Sequence, residues 1–410
     1  MLMRNIFIYL FLISTICHAQ YSGYKPIADL EGFKASFMNA SQKTQSIKSD
    51  FVQEKNLSML SEKIVSKGKF WFKRDNKVRM EYVQPFQYLM IMNDSQVYVK
   101  DGQKENKVST KSNKLFQQIN KITLDCMQGS VLSNADFSVK VFENAQNYLI
   151  ELSPKAKNLA AFFKNINLTV HKKNYEVTKI EMFEPSGDST SMSFINREQT
   201  VRFQMRFLVL SSICLLAMAC ASPYKNLQKT EEGNVLCVQK FKPLFGNVLY
   251  KTEITIFKRN LSGLLFIKTL ADSSVRMVFS AEMGFKFFDF EFSKNGQFKV
   301  MSIIDQMNKA AVINTLKRDF ELILMNQNDT KRQYVQKQNN LIYNTFEQQD
   351  NINYYITDIN CSELVQIESA SKRKKKVEIK MLNYKNQIPD SIGIKHDKFN
   401  FTIALKRLEH

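Results

Sequence analysis

In the stretch Gly68–Arg74, with the sequence GKFWFKR, Phe70 and Phe72 alternate with Lys69, Trp71 and Lys73. Phe70 and Phe72 fall on one face of an extended strand, because successive side chains of a strand point to opposite faces. Residues 78–82 repeat the alternation, with apolar residues at every second position. The pattern therefore predicts two neighbouring strands that share one apolar face.

Helical and extended patterns surround this pair of strands. Apolar residues at helical spacing predict a helix near residues 27–37 and another near 115–127, and alternating residues predict a strand meander over 137–195. Residues 185–188 (PSGD) are typical of a hairpin turn. This order predicts an antiparallel sheet with helices on one face. The apolar side chains would fill either a thick core or a lipid-sized cavity, and the pattern leaves both open.

The composition narrows the choice of partners. The chain has 410 residues, 44% of them hydrophobic, and a formal net charge of +19. Such an excess favours anionic surfaces such as membrane headgroups or nucleic acid, although a solvated basic surface explains it equally well. The densest basic run, residues 372–376, lacks the interleaved aromatic residues that stack on bases. We expect no nucleic-acid partner.

Two segments resemble export signals. Residues 1–19 have a basic start, an apolar stretch and a small residue at the end, as in a cleaved signal peptide. Residues 205–219 repeat the pattern directly before Cys220, where the sequence resembles the lipobox of bacterial lipoproteins, whose cysteine is lipidated. A short transmembrane helix or a buried core helix are the alternatives. We expect two joined proteins, by natural fusion or construction: a domain at 20–200, a tether at 220–232 and a domain at 233–410.

Motifs of catalysis are missing from the sequence. We find no GxSxG, HExxH, Walker or GxGxxG pattern, no CxxC and no metal-ligand spacing. His171 and His396 have no recognisable nucleophile partner in the sequence. We therefore expect a protein that is not an enzyme and uses no cofactor or metal. Cys237 and Cys361 could pair in an oxidising compartment, but the sequence cannot test this.

The first half resembles the LolA family of periplasmic lipoprotein carriers. The resemblance is carried by Phe51–Gln53 (FVQ), Gly68–Arg74, Arg79–Tyr82 (RMEY), Gln84-Pro85 and Asp101-Gly102. It implies an open, unclosed β-barrel with a helical lid over an apolar cavity, in which Arg74 latches the lid helices; the alternative is an exposed arginine at a strand end. Asp75 and Met80 depart from the family, which usually has Pro and Trp there. We expect the cavity lining to include Phe51, Phe70, Phe72, Met80, Leu89 and Ile91.

The second half resembles, more weakly, the LolB-type acceptor of the outer membrane. The resemblance rests on Leu261–Leu264, Val275–Phe279, Met283–Phe285 and Phe288-Asp289. It implies a second bent antiparallel sheet, with Phe279 and Phe288 lining its cavity and Met283 on a loop that dips into the membrane. A methionine buried in a turn is the alternative for Met283. We also expect a strand at 234–239 and a largely helical segment at 303–325.

Together these features predict two α+β domains, each an open antiparallel sheet with helices over an apolar cavity. The expected function is non-catalytic transport of lipoproteins or another lipid, handed from a periplasmic carrier half to an acceptor half anchored in the outer membrane. The expected partners are acyl chains, an inner-membrane release complex, the outer membrane, and each half for the other. A periplasmic sensor or scaffold that binds a protein is the alternative, and a lipid hydrolase is a third reading.

Overall fold

A computed structural model gives the fold. It describes residues 21–408, except for 60–62, 75, 94–95, 102–103, 110–113, 199–223, 225, 231–233, 257–258, 328–329, 349–350, 372–373 and 398–399. Both predicted export segments and the lipidation candidate Cys220 lie outside the described residues.

The first half folds into one antiparallel sheet of 12 strands, counted over the described residues. The strand order is β1-β8-β9-β10-β11-β12-β2-β3-β4-β5-β6-β7, so β1 and β7 lie at opposite edges and the sheet stays open. The predicted turn at 185–188 connects β11 to β12, and Glu184 N donates to Asp188 O. The strands are β1 Lys25–Pro26, β2 Ser46–Asn56, β3 Ile64–Lys73, β4 Lys77–Gln84, β5 Tyr88–Asn93, β6 Gln96–Asp101, β7 Lys104–Ser109, β8 Phe137–Glu143, β9 Asn147–Pro154, β10 Asn165–His171, β11 Val177–Phe183 and β12 Ser189–Glu198.

The second half folds into an antiparallel sheet of 13 strands over the described residues, again with unpaired edges. Its order is β13-β19-β20-β21-β22-β23-β24-β25-β14-β15-β16-β17-β18. The strands are β13 Gln228–Lys229, β14 Asn247–Ile256, β15 Arg259–Thr269, β16 Val275–Ser280, β17 Lys286–Phe292, β18 Phe298–Ile303, β19 Arg332–Gln338, β20 Leu341–Glu347, β21 Ile352–Asp358, β22 Leu364–Ser371, β23 Lys374–Lys385, β24 Ile388–His396 and β25 Phe401–Arg407.

The described helices are α1 Leu30–Lys43, α2 Lys114–Gln128, α3 Lys157–Ala160 and α4 Ala310–Ile323. Asp29 caps α1, because its side chain accepts a hydrogen bond from Gly32 N. The predicted helix over 303–325 is shorter than expected, since β18 continues to Ile303 and pairs with β17. The predicted strand at 234–239 is wrong: Val235–Phe241 forms a 3₁₀ helix, which Asn234 begins by accepting from Leu236 N.

Two large cores lie on the sheets, and the strands β14–β16 are buried on both faces. Leu265, Ile267 and Met277 pack in the core of the second half, whereas Leu264 and Phe266 pack in the core of the first half. The outer face of the second sheet therefore lies against the first half. A sheet buried on both sides explains the unbroken apolar run at residues 264–267.

The prediction of two open antiparallel sheets is confirmed. That of helices covering an apolar cavity in each half stays a prediction. Cys237 and Cys361, which the sequence left open, form a disulfide with their Cα atoms 6.3 Å apart. The bond ties the 3₁₀ helix to the turn after β21.

Candidate functional site

An apolar pocket lies inside the first sheet, and both halves of the chain line it. The first half contributes Phe70 from β3, Met80 from β4 and Cys126 from α2, and the second half contributes Met283 and Phe285. The volume of the pocket is about 50 Å³. The lining has almost no polar surface, so the pocket suits hydrocarbon.

Several predicted lining residues lie in or beside this pocket. Phe70 and Met80 contact it directly, and so does Met283, which the resemblance placed on a membrane-inserting loop and not in the lining. Phe51 and Phe72 are buried in the same core without being part of the pocket wall. The alternation read from β3 and β4 therefore identifies the interior face of the sheet.

Leu89 and Ile91 lie on the opposite face of β5. They are half-buried and alternate with Tyr88, Met90 and Met92, which are buried in the core. A shift of one residue along a strand moves every side chain to the other face. All positions of β5 except the last are apolar or aromatic, so no polar residue within the strand distinguishes its two faces.

Phe279 and Phe288 lie in the core of the second half, away from this pocket. Their ring centroids are 5.5 Å apart, and Phe279 also stacks on Phe287 at 4.9 Å. These rings pack tightly against one another and against the neighbouring strands.

Arg74 lies at the carboxyl end of α1. Its Nη2 donates to Ser41 O at 3.0 Å and its Nε donates to Thr44 O at 3.3 Å. These carbonyls belong to the last turn of the helix, where backbone acceptors lack partners within the helix. The guanidinium therefore ties α1 to the end of β3, and its role as a lid latch stays a prediction.

The turn that carries Met283 joins β16 to β17 and packs against the first half. Gly284 N donates to Ala281 O, and Ala281 N donates to Phe285 O, which closes the turn. Gly284 has a φ of 112°, and a Cβ placed on it would lie 2.5 Å from Thr190 Oγ1. Only glycine permits both this backbone conformation and this close approach.

First-half side chains bind the backbone of this turn. Gln53 Nε2 donates to Glu282 O at 2.8 Å, and Lys55 Nζ donates to Gly284 O at 2.5 Å. Tyr82 OH in turn donates to Gln53 Oε1 at 2.9 Å. Burial lowers the pKa of Lys55 to about 8, although the negative charges of acidic neighbours act in the opposite direction and raise it.

A buried cluster of ion pairs flanks the turn on one side. Lys286 Nζ lies 2.5 Å from Asp188 Oδ2 of the first half and 3.3 Å from Asp289 Oδ2. Arg276 binds both oxygens of Asp289 at 2.8 Å. Burial would raise the pKa of Asp188, but the hydrogen bond and charge of Lys286 outweigh it and hold this pKa below its usual value.

A second ion cluster flanks the turn on the other side. Lys251 of β14 pairs with Glu282 of the turn and lies 2.9 Å from Asp101 Oδ2 of the first half. Its Nζ also lies 4.7 Å from the ring centroid of Phe86 and 4.8 Å from that of Tyr88. The ammonium group of Lys251 thus contacts carboxylates from both halves and the faces of two aromatic rings. These partners remove it from water and fix its orientation.

Sequence reasoning did not find these polar residues. Lys55, Asp188 and Lys286 are separated by more than 90 positions and meet only when the two sheets dock. Their positions in the strands gave one indirect signal, because Gln53 and Lys55 alternate in phase with the apolar Phe51. A polar residue on an apolar phase is either buried with a partner or a register error.

Of the described residues, His171 accepts a hydrogen bond from Lys173 N and His396 pairs with a carboxylate. His396 Nε2 lies 2.9 Å from Asp319 Oδ2, and both residues are buried, so the pair ties α4 to β24. Within the described ranges, no three His, Cys, Asp or Glu residues are arranged to hold a metal ion. The described part of the chain also contains no helix long and apolar enough to span a bilayer.

Comparison with known protein families finds one match, which lies in the first half. The family described as "Outer membrane lipoprotein carrier protein LolA" matches residues 42–207, which is less than half of the chain. This part of the chain is a LolA-superfamily domain. No curated protein sequence matches the chain significantly.

Solved structures with some likeness to the chain include a LolA superfamily protein from Nitrosomonas europaea (11% identity, 41% of this chain and 94% of that chain, TM-score 0.26). LprF from Mycobacterium bovis has 11% identity over 44% of this chain and 98% of its own, with a TM-score of 0.25. The MucA/MucB complex of Pseudomonas aeruginosa has 8% identity over 92% and 93%, with a TM-score of 0.26. Likenesses at these TM-scores carry no weight for function.

Proposed function

We propose that this protein transports lipid-bearing cargo, lipoproteins or another lipid, without catalysing a reaction. In this proposal the first half is a periplasmic carrier, and the second half is an acceptor anchored to the outer membrane through Cys220. One observation carries the proposal: a LolA-superfamily domain encloses an apolar pocket, and Met283 of the second half reaches into it.

The physical basis is the burial of hydrocarbon. Moving an acyl chain from water into an apolar site gains about 0.8 kcal/mol per methylene group. Binding a tail is therefore easy, and release is the difficult step. A second apolar environment that docks directly onto the pocket lets the tail move without crossing water, so that no nucleotide is needed.

The expected location is the periplasm, with the second half at the periplasmic face of the outer membrane. The two segments that resemble export signals support this location, as does the Cys237–Cys361 disulfide, because such bonds persist in oxidising compartments. A release complex in the inner membrane would load the carrier, and each half would be the other's partner.

A LolB-like role for the second half is supported by one structural feature that its sheet shares with the first sheet. Gly68 of β3 is covered by the ring of Phe51 from the neighbouring strand, and Gly263 of β15 is covered by the ring of Phe279 in the same way. Both sheets thus place an aromatic ring over a strand glycine, as sheets with sharp curvature do. Met283 would contact a membrane only after it leaves the pocket.

Lipid bound to the purified full-length chain tests the proposal. Mass spectrometry of an organic extract should find acyl lipid bound to a fraction of the native chains. Phe70→Glu, which places a charge in the pocket, should abolish it. Val65→Glu lies on the same strand, but its side chain is on the exposed face, and it should retain the lipid. Equal lipid content in both variants would contradict a cavity in the first half.

The anchor is tested separately by labelling cells with a radioactive fatty acid. Cys220→Ala should lose the label, while Cys126→Ala, which removes a buried thiol, should keep it. Label that remains on the Cys220→Ala chain would exclude this cysteine as the lipidation site.

A second candidate function is a periplasmic sensor or scaffold that binds a protein partner. It is favoured by the size of the pocket, since about 50 Å³ is well below the roughly 300–1,000 Å³ of typical ligand pockets. This candidate predicts no bound lipid in any variant and a protein partner that cross-links to the sheets in cells.

A further inference from the structure

The pocket of the first half is closed by a segment of the second half, the turn 281–285. Met283 and Phe285 fill the side of the pocket that Phe70, Met80 and Cys126 leave open. The remaining space of about 50 Å³ suffices for one or two water molecules. A hydrocarbon tail therefore has no room in the pocket while the turn is seated.

The turn is seated by polar contacts that a hydrocarbon tail cannot replace. Gln53 and Lys55 hydrogen-bond its backbone, and Asp188 pairs with Lys286 directly after it. All three first-half side chains are buried. A buried charge that loses its partner is strongly unfavourable. These contacts therefore break at the same time, when water enters, and do not break one by one.

The apolar side chains of the turn occupy the pocket as a hydrocarbon ligand would. Met283 packs against the cores of both halves, and the ring of Phe285 lies edge-on to Phe162 of the first half, with centroids 6.4 Å apart. A thioether and a phenyl ring present to the pocket the same kind of surface that an acyl chain would present. The pocket can therefore hold the turn or a tail, but not both.

We infer that the turn 281–285 is a built-in competitor of the cargo: the first half binds a hydrocarbon tail only when the second half has undocked, and redocking expels the tail. This inference rests on the proposed function, since it presupposes that the pocket receives lipid. It makes loading and docking mutually exclusive states of the same chain, and it assigns the expulsion step to Met283 and Phe285.

Binding of a fluorescent fatty acid tests the competition in the full-length chain. Dansylaminoundecanoic acid should bind the double variant Met283→Ala/Phe285→Ala with a Kd at least tenfold lower than that of the native chain. Asp188→Ala acts from the first half and should lower the Kd likewise, because it releases Lys286. Two single variants serve as controls and should leave the Kd unchanged: Met301→Ala, on an exposed side chain, and Met277→Ala, in the second core.

The outcomes separate the inference from the function on which it rests. If the native chain binds the fatty acid as tightly as the turn variants do, the turn is no competitor, and the transport proposal survives. If no variant binds it and no lipid is extracted from the native chain, both proposals are overturned.

The buried thiol of Cys126 provides a second measurement that needs no lipid. It lines the pocket and is 1% exposed, and burial raises its pKa, so the native chain should react slowly with N-ethylmaleimide. Peptide-resolved mass spectrometry should show at least tenfold faster labelling of Cys126 in Met283→Ala/Phe285→Ala, but not in Met301→Ala. Equal rates in these variants would mean that the turn does not seal the pocket, and would overturn the inference.

Discussion

Lys286 Nζ of the second half lies 2.5 Å from Asp188 Oδ2 of the first half, and each side chain is about 5% exposed or less. The carboxylate also accepts a hydrogen bond from Ser58 N at 2.8 Å through its other oxygen. The pair thus joins two sheets through atoms that are almost fully removed from water. Its environment gives it a larger effect on stability than an ion pair on the surface.

Breaking this pair from one side should strongly destabilise the docked chain. Lys286→Ala leaves Asp188 as a buried charge without its cation, and we expect a loss of about 3–5 kcal/mol in the free energy of unfolding. Urea titration followed by far-ultraviolet circular dichroism measures it. Lys63→Ala, which removes an exposed pair with Glu54, should cost about 0–1 kcal/mol. Similar losses in the two variants would show that the docked interface is hydrated.

Arg74 should stabilise the last turn of α1. Arg74→Ala removes two charged hydrogen bonds to Ser41 O and Thr44 O, and we expect a loss of about 1–3 kcal/mol. Hydrogen exchange of the amides of α1 should accelerate selectively. Arg79→Ala, which removes a pair with Glu81 on the next strand, is the control and should leave exchange in α1 unchanged.

Gly284→Ala should disturb docking more than its backbone conformation alone explains. The new Cβ would lie 2.5 Å from Thr190 Oγ1, and the φ of 112° is unfavourable for alanine. Gly187 also has a positive φ, 89°, but its Cβ would meet nothing within 4 Å. Gly187→Ala should therefore show only the backbone cost of about 1–2 kcal/mol. If the two unfolding free energies agree, Gly284 is not in close contact with the first half.

Stability should depend on pH through Lys55. Its pKa in the folded chain, about 8, is below the value of about 10.4 for an unfolded chain. Between these values the unfolded state binds more protons, so the contribution of Lys55 to stability rises with pH. We expect the unfolding free energy of the native chain minus that of Lys55→Met to be constant below about pH 8 and to increase up to about pH 10. A difference independent of pH would contradict the burial of this ammonium group.

Local periodicity predicts the fold of the first sheet well where one face of a strand is buried, as in β2, β3 and β4. The phase of β3 and β4 placed Phe70 and Met80 correctly in the interior. The same reasoning failed for Leu89 and Ile91, since β5 is apolar at nearly every position. The 3₁₀ helix at Val235–Phe241 is hard to predict because its apolar residues also fit a strand, and only the Asn234 cap distinguishes the two.

The candidate site was less predictable than the fold. The pocket residues Ile122 and Cys126 come from α2, whereas Phe163 follows α3, and their convergence depends on how the helix and the sheet pack. Met283 was identified through a family resemblance, as a residue that meets the membrane, and the structure places it inside the first half. Periodicity describes the faces of single elements and contains no information on which sheet docks against which.

Because β15 is buried on both faces, separation of the two halves exposes apolar side chains of this strand. If the second sheet separates from the first, Leu264 and Phe266 become exposed to water. The strand that carries them has no charged residue between positions 261 and 267. Bare apolar patches of this kind promote aggregation. The undocked form must therefore be short-lived, or must find another cover for this face, and a bilayer or a further protein are surfaces that could supply it.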